Sequence, residues 1–375
     1  MHTTPLRSFH LDHHGKMVDF TGWEMPMMYT GIHEEHHQVR TSGGFFDVSH
    51  MGRVVFSGRH ARRLLERVCT RSISSMQIGQ CRYSLVCNEH GGVKDDVIVM
   101  RRDDDEFLVV INASNREKII KHIEDVRDTN DWKCKVDDQT FKTAMIAIQG
   151  PKVMDLIGKV SKEVPTLKRY RFTVKNLLVM KLIVSRTGYT GEDGVEIILP
   201  SSAVGMAMKM LLKDIDMSKD DALIKPAGLG ARDSLRLEAG MPLYGHELGE
   251  DICALSCGVD FALSMEKDQE ERGEAFIGMD ALKKIRDNGG PDTQLVGLTL
   301  DGKRTARQGH QIKQGDDVVG TITSACMSPT LGVPIAMGFV KRECAEEGTT
   351  LSIDLGRAAV DAKVTKLPFY KAPKI

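Results

Sequence analysis

The sequence predicts an α+β protein of more than one domain that ends in a small all-β unit. A chain of 375 residues is longer than one hydrophobic core usually supports. Residues 53 to 140 follow the pattern strand, helix, strands, helix, strand, which has too many consecutive strands for a doubly wound sheet. From about residue 286, short apolar runs alternate with glycine and turn residues, which indicates an all-β barrel or sandwich.

Periodicity supports each element of the first α+β unit. "RVVFSG" and "EFLVVIN" are typical of strands, and "CRYSLVCNEHGGVKDDVIVM" predicts a hairpin that turns between Asn88 and Gly92. "HARRLLERV" and "REKIIKHIEDV" carry apolar residues at helical spacing. The predicted inward faces are Ala61, Leu64, Leu65 and Val68 in the first helix and Ile119, Ile120, Ile123 and Val126 in the second.

Further along the chain, residues 141 to 200 add strands, and two helices follow. They are predicted in "SSAVGMAMKMLLKDI", with Ser201 or Ser202 as its N-cap, and in "PAGLGARDSLRLEAG". The charged stretch "DQEERGEAFIGMDALKKIRDNGGPD" ends in Gly-Gly-Pro, which predicts a domain boundary.

Composition excludes several classes of protein. Hydrophobic residues make up 41% and charged residues 27%, and the net charge of −1 predicts no nucleic-acid partner. No apolar run approaches the roughly 20 residues of a membrane span, and the start "MHTTPLRSFH" does not resemble a secretory signal. The eight cysteines form no C-x-x-C pair, which favours reduced thiols in a cytoplasmic protein.

"HEEHH" satisfies the H-E-x-x-H zinc signature, with His33 and His37 on one helical face and Glu34 as base. The segment has little apolar periodicity, and its run of histidines makes a chance match easy, so we expect a polar helix face and no metal. Phosphate-binding loops, dinucleotide fingerprints and the nucleophile elbow do not occur in the sequence.

Two carboxylates interrupt the apolar strand "GGVKDDVIV". Because strand side chains alternate between faces, Asp95 and Asp96 must point in opposite directions. An inward aspartate is costly unless it is paired, so it marks either a functional site or a buried hydrogen-bond network. The sequence leaves both alternatives open and does not say which aspartate points inward.

"GARDSLRLEAG" places Arg232 and Arg236 four residues apart on a helix, near Asp233 and Glu238. This spacing is typical of a helix with surface ion pairs. The alternative is that a guanidinium serves as a clamp for a carboxylate.

"RTGYTGEDGVEI", residues 186 to 197, places three glycines at a spacing of three around Tyr189, Glu192, Asp193 and Glu196. Strand-like "LLVMKLIVS" and "VEIILP" flank it, yet a plain hairpin connection needs only one or two glycines. The excess of carboxylates and glycine makes this turn a candidate site.

Together these segments resemble the aminomethyltransferase family of the glycine cleavage system, the T-proteins. Ten blocks match in order over nearly the whole chain: "TPLRSFHLDHHGKMVDFTGWEMP", "FFDVSHMG", "GGVKDDVIV", "INASN", "IAIQGP", "RTGYTGEDGVE", "GARDSLRLEAGMPLYG", "FIGMDAL", "TITSACMSPTLGVPIAMGFV" and "KLPFYK". The resemblance also argues against zinc, because the family pattern in the histidine-rich segment uses Glu35, His36, Val39 and Arg40.

The resemblance implies a three-domain cloverleaf around a central channel for tetrahydrofolate, with a ferredoxin-like α+β domain and a C-terminal β-barrel. The expected division is 1–52 plus 141–240, 53–140 plus 241–285, and 286–375. The implied reaction takes an aminomethyl group from the lipoyl arm of the H-protein. Its carbon passes to tetrahydrofolate, giving 5,10-methylenetetrahydrofolate and ammonia.

Three alternative functions are weaker. A relative of the same fold could demethylate a sulfonium or methoxy donor, and a non-catalytic relative could only bind folate. The intact "DD", "GYTGEDGVE" and "ARDSLRLEAG" blocks favour the glycine-cleavage activity over both. A zinc peptidase rests on "HEEHH" alone.

The resemblance also implies roles for individual residues. Glu196 and Tyr189 match pterin-contacting positions, while Glu192 and Asp193 are expected to form or support the turn. A carboxylate can accept the adjacent N–H donors of a pterin edge as a charge-assisted pair.

Asp96 matches the catalytic aspartate beside N5 and N10 of the folate. Two positions depart from the family pattern: Met100 stands where relatives can place an aromatic ring, and the segment around Arg357 matches loosely. The other positions implied to contact the folate are Met51, Tyr83, Asn112 and Arg232.

Overall fold

A computed structural model describes residues 1–177, 180–213, 215–217, 219–356 and 358–373. Its α-helices are α1 (Arg7–Asp12), α2 (Ile32–Thr41), α3 (Ala61–Val68), α4 (Arg116–Thr129), α5 (Val153–Val160), α6 (Val204–Leu211), α7 (Leu229–Glu238) and α8 (Met279–Asp287). Its strands are β1 (His2–Thr3), β2 (Lys16–Phe20), β3 (Trp23–Met28), β4 (Gly44–Asp47), β5 (Gly52–Ser57), β6 (Cys81–Cys87), β7 (Val93–Asp103), β8 (Glu106–Ile111), β9 (Lys135–Asp138), β10 (Thr143–Gln149), β11 (Phe172–Leu177), β12 (Met180–Ser185), β13 (Gly194–Pro200), β14 (Lys225–Pro226), β15 (Thr293–Leu300), β16 (Gln311–Gln314), β17 (Asp317–Met327), β18 (Pro334–Lys341), β19 (Thr350–Asp354) and β20 (Ala359–Thr365).

A five-stranded antiparallel sheet in the order β6-β7-β8-β5-β9 forms the predicted α+β unit. The order β7-β8-β5-β9 is that of a ferredoxin-like fold, with β6 added at the edge. α3 and α4 bury their predicted faces on this sheet. The two residues that are only partly buried there are Ile120 and Val126.

A six-stranded sheet in the order β11-β12-β13-β10-β4-β14 is built from β4 and from chain beyond residue 143. α5 and α6 pack on one face of this sheet. The predicted serine N-cap is wrong, because α6 begins only at Val204 and its N-cap Ala203 makes no side-chain cap bond. Ser201 instead donates its backbone N–H to the Lys142 carbonyl at 3.0 Å, which ties it to the start of β10.

The inner faces of the two sheets share one apolar core with α7. Phe46 and Met145 from the six-stranded sheet pack with Val55 and Leu108 from the five-stranded sheet and with Leu235 of α7. Burial of these side chains fixes the relative position of the two sheets, because each apolar face finds its partner only on the other. The polar positions next to this core therefore face each other across the junction.

The C-terminal unit is a closed barrel in the order β15-β18-β17-β16-β19-β20. Of the two alternatives from the sequence, the barrel is therefore confirmed. Gly-Gly-Pro lies between the end of α8 at Asp287 and the start of β15 at Thr293, where the boundary was predicted. Closure leaves no open sheet edge in this unit.

Glu238 of α7 joins the helices to the barrel. It accepts hydrogen bonds from Arg40 at 2.9 Å and His36 at 3.1 Å, both on α2. Ser328 at 2.5 Å and Thr330 at 2.7 Å donate to it from the turn between β17 and β18. Burial opposes ionisation of this carboxyl, but the donors, led by His36, outweigh it and hold the pKa of Glu238 at about 2.

We expect Glu238→Gln to lower the free energy of unfolding at neutral pH and to make it less sensitive to acid. A carboxylate whose pKa is lower in the folded state stabilises the fold above its ordinary pKa of 4.5, and this contribution is lost as pH falls towards about 2. The variant should lose about 3 kcal/mol at pH 7, because Arg40 loses a buried counter-charge. The free energy of unfolding of the variant should then change less than that of the wild type as the pH falls from 4.5 towards about 2. Denaturant titrations at several pH values measure this, and parallel pH profiles would contradict it.

Candidate active site

A cavity of about 1200 Å³ opens at the junction of the two sheets, α7 and the barrel. Its wall includes polar side chains from strands β7 and β13, from the segment after β8 and from helix α7. Every position that the sequence analysis assigned to the folate site lies on this wall: Met51, Tyr83, Asp96, Asn112, Tyr189, Glu196 and Arg232. The fold thus brings together residues that are up to 181 positions apart in the chain, from Met51 to Arg232.

Asp95 and Asp96 point to opposite sides of β7, as strand geometry requires. Asp96 faces the cavity. Asp95 is fully buried behind it and accepts hydrogen bonds from the side-chain amides of Asn112 at 2.9 Å and Asn115 at 2.7 Å. The sequence left open whether an aspartate here marks a functional site or a buried hydrogen-bond network. Both are found: Asp96 lines the cavity, and Asp95 belongs to a buried network.

One asparagine links this pair. The Asn112 amide, just after β8, also donates to Asp96 at 2.6 Å. Burial raises the pKa of Asp96, although Asn112 and the nearby phenol of Tyr83 counteract this. Burial, and then the charge of Asp96, raise the pKa of Asp95. Adjacent buried carboxyls resist double ionisation, and the asparagines stabilise the charge that remains.

Glu196 projects from β13 into the same cavity. Its carboxylate accepts a hydrogen bond from the hydroxyl of Thr187 at 2.5 Å. The Ser185 and Thr187 hydroxyls lie 2.7 Å apart in the same network. Thr187 therefore orients the Glu196 carboxylate, whose remaining lone pairs are available to a ligand.

In the glycine-rich turn between β12 and β13, Gly188 and Gly194 are required because other residues approach their Cα atoms too closely for a side chain. A Cβ at Gly188 would lie 1.9 Å from Oε1 of the buried Gln149, and one at Gly194 would lie 2.2 Å from the Ile148 carbonyl. The predicted strand before the turn is β12, while Leu178 and Val179 at its predicted start lie outside the described residues.

The two middle carboxylates of the turn are paired away from the cavity. Glu192 accepts from Arg40 at 2.9 Å, and Asp193 receives two bonds from Arg186, at 2.6 and 2.7 Å. These two salt bridges hold the turn in place. Tyr189 is fixed as well, because its hydroxyl donates to the Pro242 carbonyl at 2.5 Å.

The two arginines of α7 differ in surroundings. Arg236 is fully buried and pairs with Asp233 at 2.8 Å and Glu247 at 3.0 Å. Arg232 lies over the Tyr189 ring, 4.8 Å from its centroid, and its buried Nη1 has no hydrogen-bond partner within the described part of the chain. Arg236 is therefore ion-paired, although it lies in the interior and not on the surface as its spacing suggested, while Arg232 is left with a free donor at the cavity.

Several cavity-lining residues were not singled out from the sequence. Tyr170 and Phe261 lie outside the quoted blocks, whereas Phe20 lies in "TPLRSFHLDHHGKMVDFTGWEMP" and His50 in "FFDVSHMG". Membership of these two blocks was the only signal in the sequence that could have identified Phe20 and His50. Met100 does line the cavity, whereas Arg357 lies outside the described residues.

The histidine-rich segment forms helix α2. His33 and His37 are on its outer side, with ring centroids 4.7 Å apart, and its buried residues are Glu35, His36, Val39 and Arg40. The described residues contain no group of three or more His, Cys, Asp or Glu placed to hold a metal ion. Nor does any described helix have the length and apolar character needed to cross a bilayer.

Similarity to known proteins identifies the family to which the chain belongs. The family model for the GCVT N-terminal domain matches residues 6–267, and the model for the glycine cleavage T-protein C-terminal barrel domain matches residues 293–371. The chain belongs to the glycine cleavage T-protein family. Both family domains are present, in the order that the fold shows.

Similar proteins include two curated aminomethyltransferases. The one from Rubrobacter xylanophilus is 43% identical over 98% of this chain and 94% of its own length. The one from Bacillus subtilis is 37% identical over 98% of this chain and 99% of its own length. The crystal structure of the glycine cleavage system aminomethyltransferase T from Bartonella henselae matches with a TM-score of 0.89 and 30% identity, covering 99% of this chain and 98% of that one. The predicted family, fold class and enzyme class are thereby confirmed: the chain is an aminomethyltransferase of the glycine cleavage system.

We expect Arg232→Ala to weaken tetrahydrofolate binding with little change in melting temperature. The reason is that Arg232 forms no salt bridge with any described residue, so its charge is directed at the cavity. Loss of a hydrogen bond from a charged donor should raise the Kd about 10- to 150-fold. Calorimetry and melting curves measure the two quantities. Arg236→Ala is the contrast, since it leaves the buried carboxylate of Glu247 without its ion-pair partner and should lower the melting temperature strongly. A lower melting temperature as the only effect of Arg232→Ala would restore the ion-pair interpretation.

Proposed function

We propose that this enzyme transfers the methylene carbon of an aminomethyl group, carried on the lipoyl arm of an H-protein, to tetrahydrofolate. The observation that supports this most strongly is the convergence of Asp96, Glu196 and Arg232 on one cavity. Nη1 of Arg232, a residue of the cavity wall, is buried with no hydrogen-bond partner among the described residues. Buried polar groups of this kind are normally satisfied, which suggests that a polar ligand completes the site.

Tetrahydrofolate would supply two nucleophilic nitrogens, N5 and N10, that receive the carbon. In the overall reaction the carbon gains two C–N bonds and loses its bonds to the amine nitrogen and to sulfur. The two protons displaced from N5 and N10 are taken up by the leaving amine and thiolate. The products are 5,10-methylenetetrahydrofolate, ammonia and the dihydrolipoyl carrier.

The chain's contribution begins with recognition. Glu196, oriented by Thr187, would accept the adjacent N–H donors of the pterin edge as a charge-assisted pair. Burial lowers the pKa of Arg232, and the charge of the nearby Glu196 opposes this shift. An acceptor on the same pterin edge would satisfy the free donor of Arg232. This pairing would fix the orientation of the ring system in the cavity.

Asp96 would act on the reacting end. Its carboxylate is held by Asn112 at 2.6 Å, so it needs no reorganisation to stabilise positive charge that develops on the attacking nitrogen. Holding that nitrogen in line with the carbon supplies part of the rate enhancement through orientation. Asp95 would support Asp96 indirectly, through the asparagine that both residues share.

We also propose the three-domain division 1–52 plus 141–240, 53–140 plus 241–285 and 286–375, because each sheet or barrel falls within one of these units. β4 and its parallel partner β14 are far apart in the chain, yet both belong to the first unit, and only Gly52 at the start of β5 falls outside the unit of its sheet. The eight cysteines, none in a C-x-x-C pair, support a cytoplasmic protein, and the net charge of −1 argues against a nucleic-acid partner; no membrane partner is proposed. The reaction proposed here needs no metal.

The proposal is tested by mixing the purified protein with tetrahydrofolate and an H-protein whose lipoyl arm carries an aminomethyl group. Ammonia and 5,10-methylenetetrahydrofolate should appear in equal amounts and only when both substrates are present. A control with a sulfonium methyl donor separates the related demethylase activity, since that reaction would give 5-methyltetrahydrofolate. Formation of the 5-methyl product, or no turnover with the aminomethyl carrier, would overturn the proposal.

A further inference from the structure

His50 has no role in the function proposed so far, although it lies on the cavity wall. Its side chain belongs to the short connection between β4 and β5 and is only 3% exposed. Its Nδ1 is buried and has no hydrogen-bond partner among the residues that the structure describes. An unsatisfied polar atom on the wall of a cavity suggests that a ligand completes the site.

The backbone on both sides of His50 is held in place. The Ser49 N–H donates to Asp47 at 2.8 Å, and Arg53 donates to the Ser49 carbonyl at 2.9 Å. The Met51 N–H donates to the Val48 carbonyl at 3.1 Å and closes the turn. These bonds preorganise the position of the histidine before any ligand arrives.

The ring itself is positioned by Phe20. The two rings meet edge to face, with centroids 5.5 Å apart and an interplanar angle of 86°. Phe20 comes from β2 of the small sheet and also lines the cavity. The imidazole is therefore packed against a second residue of the cavity wall.

A second buried histidine in the same part of the molecule shows what a structural role looks like. His10 has both nitrogens satisfied: Nε2 lies 2.8 Å from the Asp47 carboxylate, and Nδ1 lies 2.8 Å from the Tyr29 hydroxyl. His50 has no such partner within the described residues, although Asp47 is close enough to influence its charge. The comparison argues against a purely structural role for His50.

The neighbours of His50 indicate what it addresses. Burial, and then the positive charge of Arg232, lower the pKa of His50 to about 3. The imidazole is therefore neutral and offers one donor and one acceptor. His50, Arg232 and Glu196 all line the same cavity, and the charge of Arg232 is near enough to His50 and to Glu196 for each pair to influence the other.

We propose that His50 is a positioning residue for the pterin and that it acts with Arg232 on the ring carbonyl beside the N–H edge bound by Glu196. The inference rests on the function proposed above, because that function supplies the pterin. On a 4-oxopterin the carbonyl oxygen adjoins the N–H group that would face Glu196. A neutral N–H from His50 and a charged N–H from Arg232 would satisfy the two lone pairs of this oxygen. The pair of donors would then select 4-oxopterins over 4-aminopterins, which carry a donor at that position.

The test compares His50→Phe with His50→Gln, using tetrahydrofolate as the probe. Phenylalanine keeps the ring and removes both nitrogens, so the Kd should rise about 3- to 10-fold, the usual net effect of one neutral hydrogen bond. Glutamine can replace one nitrogen and should recover most of the affinity. The discrimination against a 4-amino analogue should fall in His50→Phe and return in His50→Gln.

His122→Phe is the matched control. Its Nε2 is also buried without a partner in the described chain, but His122 is on α4 and is not part of the cavity wall. This control should leave the Kd unchanged, whatever happens to the melting temperature.

A spectroscopic measurement keeps the test independent of folding. The ring ¹⁵N resonances of His50 in the wild-type protein should shift when tetrahydrofolate binds, and those of His122 should not. An unchanged Kd in His50→Phe together with unmoved His50 resonances would overturn the inference. If the wild-type protein does not bind tetrahydrofolate at all, the proposed function fails first, and the two failures are distinguishable.

Discussion

Asp96→Asn should reduce the rate of ammonia release about 100- to 1000-fold at saturating tetrahydrofolate, the usual effect of losing a positioned electrostatic group. The expected change in tetrahydrofolate affinity is much smaller. An interaction that strengthens as positive charge develops in the transition state affects kcat more than ground-state binding. The amide keeps the size of the carboxylate and can keep a hydrogen bond with Asn112, so this variant isolates the charge.

Asp95→Asn is the matched control, because it makes the same chemical change one residue away. Asp95 is fully buried behind the cavity, and burial, followed by the charge of Asp96, raises its pKa, so an uncharged group is tolerated there better than at most aspartates. We expect a rate effect below roughly tenfold, or 1.4 kcal/mol, and a modest fall in melting temperature. Single-turnover rates and melting curves for both variants provide the comparison. The assignment of Asp96 to the reacting face would be wrong if Asp95→Asn were inactive while Asp96→Asn turned over normally.

Glu196→Gln should raise the Kd for tetrahydrofolate about 10- to 150-fold, since a hydrogen bond to a charged group contributes about 1.5–3 kcal/mol. The fold should persist, because Thr187 can donate to the amide oxygen as it donates to the carboxylate. Calorimetric titration with tetrahydrofolate measures the effect directly. An unchanged Kd would remove Glu196 from the pterin site.

Glu192→Gln is the control for that variant. It lies in the same turn, but its carboxylate pairs with Arg40 at 2.9 Å and does not line the cavity. Loss of this buried pair should lower the melting temperature while the Kd stays within about threefold of wild type, a difference of less than 1 kcal/mol. Together, the two variants distinguish a carboxylate of the turn that affects the Kd for tetrahydrofolate from one that affects the melting temperature.

The sequence determined those features that depend on neighbouring residues in the chain. The inward faces of α3 and α4, and the hairpin turn at residues 88 to 92, follow from spacing within one element and were predicted correctly. The serine cap of α6 was not, because Ser201 is bonded to Lys142, which lies 59 positions earlier in the chain. A cap rule considers only adjacent residues, whereas this serine had a distant partner.

The site shows the same division. Strand alternation required Asp95 and Asp96 to face opposite ways, and the block pattern of the family indicated which residues belong to the cavity. Helical spacing could not distinguish Arg232 from Arg236, because only folding brings Arg236 near Glu247, which neutralises its charge, and near Ser324, which accepts a hydrogen bond from it.

Only the tertiary structure revealed the free donors. Whether a buried nitrogen is satisfied depends on every group that surrounds it, and those groups come from segments far apart in the chain. His10 and His50 look alike in the sequence, yet Asp47 and Tyr29 satisfy the first, while Nδ1 of the second has no partner in the described structure. The sequence thus determined the secondary structure and the family, and tertiary packing decided which side chains remain free to bind a substrate, because hydrogen-bond satisfaction is a property of the assembled fold.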